Sequence, residues 1–525
     1  MRARSIMMLG TSSHVGKSLL AAALCRIFAQ EGYRVAPFKS QNMSLNSAVT
    51  HEGLEIGRAQ ALQAEASNIL PSVHMNPILL KPSGDMTSQI VVLGKIWGNL
   101  SATDYHLRRV GELFPLACES YQTLASQNDV MVLEGAGSPA EINLKQQDIV
   151  NMRMAEFADA SCVLIGDIDR GGVFASLLGT VELLEPHERS RIVGFVINKF
   201  RGDIKLLEPG IRMIEDRLGK PCLGVVPYLP ELSIDEEDSL SLPALDSQTN
   251  AEWQSSNDPS RPLRIAVVAL PSFSNFTDFD ALRAEPSVSL RLCRTPEQLS
   301  DADVIIIPGS KQTADDLRWM RSQHIDRVVL DHAGRGLVVG ICGGMQILGT
   351  EIADPHNMES SSTISGLGLL AIRTSMQPHK TTRISSGNLV ASSLFGQPIS
   401  SSRVSGYEIH LGETEYLEGS AFFARLSGKA NDEDLFDGCV ALNGNAFGTY
   451  LHGIFDDDGF RHAFLAAARA FHHLAAPNRL DNWKQRREES LNRLADAVRS
   501  SFDLPKIFDL VGVASKAQPQ IKESR

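Results

Sequence analysis

The chain has 525 residues, enough for two to four domains, and its hydrophobic content of 43% is ordinary for a globular protein. The formal net charge of −12 argues against nucleic acid as the main partner, because phosphate binding needs an excess of Lys and Arg. The sequence has no run of about twenty apolar residues, so no membrane span is predicted. Seven scattered cysteines without a C-x-x-C pair, and an amino terminus unlike a secretory signal, predict a cytoplasmic protein.

Six short apolar runs alternate with helical patterns in the first half of the chain. They are Ser5–Leu9, Tyr33–Phe38, Val130–Leu133, Cys162–Ile165, Ile192–Ile197 and Leu223–Val226. Because the runs are almost continuously apolar, they predict parallel strands that are buried on both faces. With a first helix over Lys17–Glu31, the pattern predicts a doubly wound α/β domain.

A P-loop, GTSSHVGKS, starts at Gly10 between the first strand and the first helix. It has one more residue between its glycines than the common pattern. The backbone from Gly10 and Thr11 to Gly16 is expected to surround the phosphates of ATP. Lys17 is expected to reach the β- and γ-phosphates, and Ser18 to bind Mg²⁺. A glycine-rich turn is the alternative, which the agreement of strand, Gly-Lys-Ser and helix disfavours.

Four further residues are candidates for the same site. Glu134 ends a predicted strand, where a Walker-B acid would hold Mg²⁺. Asn198 follows another strand in a segment that resembles the base-reading loop of P-loop proteins, which implies that Asn198 faces the purine base. Lys39 is expected to meet a carboxylate or phosphate, and Asp169 to serve Mg²⁺ or the substrate, since ligands gather at the carboxyl ends of parallel strands. A solvated loop is an equally good interpretation for Lys39 and Asp169.

The composition changes at a polar, turn-forming stretch before the second half. A second α/β series follows it, over Leu263–Leu270, Val304–Ile307, Leu337–Ile341 and Ala446–Leu451. We therefore predict a P-loop synthetase domain over 1–245, a linker over 246–262, a second doubly wound domain over 263–458, and a helical extension over 459–525 that frays from about residue 514.

Cys342 lies in the pattern Gly-Ile-Cys-Gly-Gly, between an apolar strand and a helix. This is the thiol version of a nucleophile elbow, in which glycines permit a sharp turn beneath the nucleophile. His452 ends a second predicted strand, so the two residues form a candidate nucleophile–base pair. A buried structural cysteine and a packed histidine are the alternative, which the flanking glycines and the strand–helix context disfavour.

These residues resemble the triad class of glutamine amidotransferases, which release ammonia through a cysteine thioester. The resemblance implies that Cys342 attacks glutamine and that His452 activates the thiol and protonates ammonia. It also implies an oxyanion hole of backbone N–H groups near Gly309 and Gly343. Many such domains have a Glu two residues after the His, where this chain has Ile454. We therefore expect a Cys–His pair without a third member.

The long P-loop is similar to that of dethiobiotin synthetase, and with six further segments it resembles the cobyric acid synthase family of corrinoid amidotransferases. The segments are Lys39–Met43, Leu133–Ser138, Asp169–Phe174, Pro308–Lys311, Gly340–Met345 and Gly406–His410. The resemblance implies amidation of the b, d, e and g carboxylates of adenosylcobyrinic acid a,c-diamide with glutamine and ATP–Mg²⁺. We expect His410 to be a structural or glutamine-pocket residue.

Two alternatives remain open from the sequence. The sister enzyme, cobyrinic acid a,c-diamide synthase, shares both domain types, although Lys39–Met43 and the long P-loop favour the first interpretation. A partitioning or regulatory P-loop ATPase is disfavoured by the amidotransferase half. The order of the amidations stays open, as does the passage of ammonia within one chain or across a homodimer.

Overall fold

The protein is described by a computed structural model that covers residues 3–83, 87–229, 232, 253, 258–359, 363–401, 403–427, 435–477 and 479–514. The chain divides into two compact units. The first comprises Met1–Met43, Ile56–Ile234 and Arg487–Arg525, and the second comprises Ser44–Glu55 and Asp235–Arg486. In this division residues 44–55 belong to the second unit and residues 487–514 to the first, whereas the predicted domains were continuous stretches of the chain. Most of the predicted linker and of the predicted frayed tail lies outside the described residues.

The first unit is built on a six-stranded sheet whose neighbouring strands all run parallel. In spatial order the strands are Cys222–Pro227, Ile192–Phe200, Ser161–Asp167, Arg4–Gly10, Val130–Glu134 and Val35–Phe38. The six strands predicted from the apolar runs are thereby confirmed. Because Arg4–Gly10 occupies a central position, the P-loop leaves the carboxyl edge of the sheet between two neighbouring strands, as in other doubly wound folds.

The first unit has eight helices among its described residues before residue 220, most of which flank this sheet. They are Lys17–Gln30, Arg58–Ala66, Ala102–Arg108, Phe114–Ala125, Met152–Ala158, Val173–Glu182, Pro186–Arg191 and Ile204–Leu218. Two helices near the carboxyl terminus, Trp483–Ser501 and Leu504–Val511, follow a helix over Asp458–Phe471. Apolar side chains of Trp483–Ser501 and Leu504–Val511 join the core around Lys17–Gln30, the helix that follows the P-loop. The rings of Phe28 and Phe508 lie 5.5 Å apart in this core.

A second, smaller sheet in the first unit was not predicted. Its strands are Gln41–Met43, Ile78–Ser83, Thr87–Val92 and Lys95–Ser101, in that order. The edge strand Gln41–Met43 gives no apolar pattern because it is short and polar, and it is stabilised by parallel pairing with Ile78–Ser83.

The second unit contains an eleven-stranded mixed sheet. Its order is Val288–Cys293, Leu263–Val268, Val304–Ile307, Leu337–Ile341, Ala446–Thr449, Leu435–Val440, Ala421–Leu426, Ile372–Leu389, Glu351–Ala353 and Ile364–Ser365, with Arg403–Tyr416 paired to Ile372–Leu389. The first five run parallel and contain the four predicted runs. The long antiparallel hairpin was missed because its strands are half-exposed and only weakly apolar.

Short helices cover the parallel part of this sheet. They are Asp280–Ala284, Pro296–Leu299, Thr313–Ser322, Ile325–His332 and Gly343–Leu348. The 3₁₀ turns Phe276–Phe279 and Ile454–Asp456 follow two of the parallel strands in the chain. Each unit is thus an α/β layer, as predicted. Within the described part of the chain, no helix combines the length and apolar character that a membrane span requires.

Candidate active site

Cys342 occupies a sharp turn between the strand Leu337–Ile341 and the helix Gly343–Leu348. Its backbone has φ 50° and ψ −109°, a strained conformation for a residue with a side chain. A Cβ at Gly344 would lie 1.9 Å from the carbonyl oxygen of Ile307, so only glycine fits at that position. The turn therefore has the backbone expected of a nucleophile elbow.

His452 follows the strand Ala446–Thr449 and is held by a carboxylate. Its Nδ1 lies 2.7 Å from Oδ2 of Asp278, and the backbone N–H of Gly453 donates to Oδ1 of the same carboxylate at 2.8 Å. His452 and Asp278 are 1% and 2% exposed. Since Nδ1 donates to Asp278, Nε2 is left for interaction with the Cys342 thiol.

The expectation that the Cys–His pair has no third member is wrong. Ile454 does stand where related domains carry a Glu, and it is buried. The contact is made instead by Asp278, which lies in the 3₁₀ turn Phe276–Phe279. Asp278 precedes His452 by 174 residues in the chain. The sequence offers one indication, namely that Asp278 shortly follows the first parallel strand of this unit, where ligands and catalytic groups gather.

The surroundings of His452 favour its protonated form. Burial alone would lower the pKa of the imidazole, but the charges of Asp278 and Cys342 and their hydrogen bonds outweigh it and raise the pKa to about 10. The ring also stacks on Tyr407, with centroids 5.4 Å apart. An imidazolium at neutral pH is the partner that stabilises a cysteine thiolate, the nucleophilic form of the thiol.

The two glycines predicted for the oxyanion hole lie beside this group. A Cβ at Gly309 would come within 2.9 Å of Cε1 of His452, and one at Gly343 would come within 2.9 Å of the backbone nitrogen of Ser310. The carbonyl of Gly309 accepts a hydrogen bond from the Ser274 N–H at 3.0 Å. The loop that contains Gly309 is therefore tied to the segment leading to Asp278, and it packs against the Cys342 turn.

His410, on the long hairpin, is held by Tyr450 and by a carboxylate of the same hairpin. Its ring stacks on Tyr450 at 3.7 Å, and its Nε2 lies 3.3 Å from Glu408. Two nitrogens of Arg383 donate to Glu408, each at 2.8 Å. Burial would raise the pKa of Glu408, but the hydrogen bonds from His410 and Arg383 reverse this and lower it to about 2. His410 thus belongs to an ion-paired cluster on this hairpin.

The space near the thiol contains a buried amide. Gln346, one turn after Cys342, donates from Nε2 to the hydroxyl of Tyr450 at 3.1 Å. Its Oε1 is buried and has no hydrogen-bond partner among the residues that the structure describes. Sγ of Cys342 donates to the carbonyl of Ile409 at 3.8 Å, so the thiol lies against the same hairpin as His410.

In the first unit the P-loop has the form that phosphate binding requires. Gly16 has φ 96°, and a Cβ at Gly10 would lie 2.9 Å from Nζ of Lys17. Lys17 curls back over the loop and donates to the carbonyl of Ser12 at 2.9 Å. The N–H of Thr11 donates to the neighbouring strand at 2.9 Å. The small glycines leave a cradle of the size and polarity that fits a nucleotide phosphate.

Glu134 is the centre of the polar contacts beneath this loop. Ser18 and Lys39 each donate to its Oε1 at 2.8 Å, and Gln63 donates to its Oε2 at 2.7 Å. Glu134 is 1% exposed. The structure thus brings Lys39 and both predicted metal ligands together. A hydroxyl and a carboxylate at this spacing fit a magnesium ion, which prefers oxygen ligands.

Asn198 and Asp169 have different surroundings. Nδ2 of Asn198 donates to the carbonyl of Val15 at 2.8 Å, so this side chain braces the P-loop. Asp169 is exposed at the end of its strand and lies 3.2 Å from Arg201. Recognition of the base by Asn198 and of a ligand by Asp169 remain predictions.

Comparison with known proteins assigns both units. Residues 6–242 match the CobQ/CobB/MinD/ParA nucleotide binding domain, and residues 264–460 match the CobB/CobQ-like glutamine amidotransferase domain. A cobyric acid synthase of Thermoanaerobacter sp. (strain X514) is 47% identical over 97% of this chain and 99% of its own length. Those of Moorella thermoacetica and Sorangium cellulosum are 46% and 48% identical, over 97% and 98% of this chain and 98% and 99% of their own lengths. The chain belongs to the cobyric acid synthase family.

Proposed function

We propose that this chain is an ATP- and glutamine-dependent ligase that converts adenosylcobyrinic acid a,c-diamide into adenosylcobyric acid. The observation that carries the proposal is the buried contact of His452 with Asp278 beside the Cys342 turn, in a chain that also has a P-loop. The similarity to cobyric acid synthases, 47% and 46% identity over 97% of the chain, supports the choice of substrate. The identity of the acceptor rests on these relatives alone.

Nitrogen release begins at the sulfur. The Cys342 thiolate adds to the carboxamide carbon of glutamine, and the oxyanion is stabilised by backbone N–H groups near Gly309 and Gly343. The C–N bond then breaks, His452 gives its proton to the leaving ammonia, and a thioester remains. Water activated by His452 hydrolyses the thioester, which releases glutamate and restores the thiol.

Gln346 is suited to recognise the amide of the substrate. Its buried Oε1 is an acceptor without a partner among the described residues, close in sequence to the nucleophile. A carboxamide NH₂ group would satisfy that acceptor, whereas the carboxylate of the product glutamate would repel it. This contact would therefore favour binding of glutamine over retention of glutamate.

Acid activation takes place at the P-loop. A corrin carboxylate attacks the γ-phosphorus of ATP, ADP leaves, and the acyl phosphate that forms has a good leaving group. Ammonia then attacks the acyl carbon and expels phosphate. Lys17 would neutralise the β- and γ-phosphates, and Mg²⁺ held by Ser18 and Glu134 would supply further charge neutralisation. Lys39 pairs with Glu134 in the structure. It would meet the incoming corrin carboxylate once Glu134 binds the metal.

Isotope counting tests the assignment directly. The purified protein is incubated with adenosylcobyrinic acid a,c-diamide, ATP and glutamine labelled with ¹⁵N in the amide. Mass spectrometry of the corrinoid product then counts the incorporated ¹⁵N atoms. Four labelled nitrogens per corrin are expected. In a parallel incubation with cobyrinic acid, labelling only at the a and c positions would assign the sister activity instead. ATP hydrolysis without label in any corrinoid would contradict both.

We also propose that the reaction occurs in the cytoplasm, consistent with the free cysteines of the described residues.

A further inference from the structure

A loop from the first half of the chain, which includes the short strand Ser47–Val49, belongs to the second unit. Along the chain, Ser44–Glu55 lies between two stretches that belong to the first unit. Its residues Asn46 and Glu55 are each only 1% exposed. Lys380 forms an ion pair with Glu55 at 2.6 Å, and the hydroxyl of Ser47 donates to the same carboxylate at 2.8 Å. Buried charges need such partners, so this end of the loop is firmly anchored.

The other end of the loop exchanges hydrogen bonds with the turn before Asp278. Oδ1 of Asn46 accepts from the backbone N–H of Phe276 at 3.1 Å, and Oδ1 of Asn275 accepts from the backbone N–H of Ser47 at 2.9 Å. Asn275 is 3% exposed and has φ 54°, in the left-handed region. Two side chains thus each satisfy a buried backbone donor on the opposite segment, which fixes the two segments in register.

The turn held in this way carries the group that orients the imidazole. The N–H of Asp278 donates to the carbonyl of Asn275 at 3.0 Å, and its carboxylate contacts His452 and the backbone of Gly453. Asn46 therefore fixes a backbone segment only two residues from the carboxylate. A catalytic pair depends on such supporting contacts, because displacement by a fraction of an ångström weakens the alignment of the reacting groups.

We propose that Asn46 is a positioning residue of the glutaminase centre, which acts by fixing the Asn275–Asp278 turn and, through Asp278, the imidazole of His452. This inference rests on the proposed function, since it assigns a role within glutamine hydrolysis. It places one determinant of nitrogen release more than two hundred residues before the amidotransferase half begins to form its sheet, in a loop flanked on both sides by residues of the first unit.

The test compares two substitutions that remove the exchanged bonds. Asn46→Ala removes one acceptor, and Asn275→Gly removes the other without straining a left-handed backbone. For each variant we expect kcat of glutamine hydrolysis to fall roughly tenfold while the KM for glutamine is retained. The alkaline limb of the pH–rate profile should move to lower pH, as is also expected on loss of Asp278. The double variant should lose less than the product of the single losses.

Ammonium-dependent synthesis and a loop variant serve as controls. His51→Ala alters an exposed side chain of the same loop and should leave glutamine hydrolysis unchanged. Synthesis from ammonium salts should be retained in all these variants, which shows that the first unit is intact. A wild-type rate and pH profile in Asn46→Ala would overturn the inference. A lower rate would overturn it too if the pH profile did not move and if synthesis from glutamine and from ammonium fell equally. Failure of the proposed function is distinguished by Cys342→Ser, whose retention of glutamine hydrolysis would contradict that function whatever Asn46 does.

Discussion

Oδ2 of Asp278 lies 2.7 Å from Nδ1 of His452, although 174 residues separate the two in the chain. The contact replaces the carboxylate that related domains take from a position two residues after the histidine, where this chain has Ile454. The second carboxylate oxygen binds the backbone of Gly453, so the acid fixes both the ring and the segment that bears it.

The first prediction concerns Asp278→Asn. An amide nitrogen facing Nδ1 would place the imidazole proton on Nε2, where it can no longer accept a proton from the thiol. We expect kcat for glutamine hydrolysis to fall by about 10²-fold or more, with ammonium-dependent synthesis retained. Asp280→Asn, which alters a carboxylate in the same segment that pairs with Arg283, is the matched control and should change little.

The same variant should change the pH dependence. Asp278 raises the pKa of His452, so the wild-type imidazolium persists from neutral pH up to about pH 10. Without that charge, burial lowers the pKa, and activity that needs the imidazolium is lost at lower pH. The alkaline limb of kcat/KM for glutamine should therefore move downward. An unmoved limb would show that the ring's charge does not depend on Asp278.

Cys342→Ser separates the two nitrogen sources. Because a hydroxyl is a far weaker nucleophile than a thiolate at neutral pH, glutamine-dependent synthesis should fall below detection. Concentrated ammonium salts should still give product, since ammonia enters after the step that the sulfur performs. Product analysis with each nitrogen source measures both outcomes. Full glutamine-dependent turnover would contradict the assignment of the thiol.

Lys17→Ala should abolish synthesis from glutamine and from ammonium alike. The side chain crosses the P-loop to the Ser12 carbonyl, where it would meet the terminal phosphates, and its loss removes charge that phosphoryl transfer needs. Formation of ADP and of amide are the measurements. Lys205→Ala, on an exposed helix of the same unit, is the control for loss of a positive charge. Synthesis from ammonium in Lys17→Ala at the wild-type rate would contradict the proposed site.

Glu408 provides a prediction for stability. Its pKa is lowered from 4.5 to about 2 in the folded chain, so its contribution is present above pH 4.5 and is lost as the pH falls toward 2. Glu408→Gln should therefore cost roughly 2–3 kcal/mol at pH 7 and less at pH 3. Denaturant unfolding of both proteins at these pH values measures the difference. Equal losses at both pH values would show that the ionised form is not what stabilises the hairpin.

The nucleophile and base were predictable because their patterns are local. Glycines on both sides of Cys342 are dictated by the turn itself, and the apolar strands that precede Cys342 and His452 are continuous. The P-loop is local in the same sense. Such features need no knowledge of which strands become neighbours.

Asp278 and Asn46 were not predictable for the opposite reason. Each acts through a partner far away in the chain. The position of Asp278 after the first parallel strand is the one indication that the sequence offers, and Asn46 has no pattern that distinguishes it from an ordinary polar loop residue. The long hairpin that carries Glu408 and His410 was missed because its half-exposed strands lack the apolar run that identified the parallel strands.

The path of Ser44–Glu55 constrains how such an enzyme can be divided between genes. A break within residues 246–262 would leave Asn46 on one polypeptide and Asn275 on the other, so the glutaminase fragment would be translated without the loop that steadies its own turn. A two-gene version of this architecture therefore has to recruit that loop from its partner protein or evolve a replacement anchor. Continuity of the polypeptide removes this requirement, because the ribosome makes the supporting loop before the turn that depends on it.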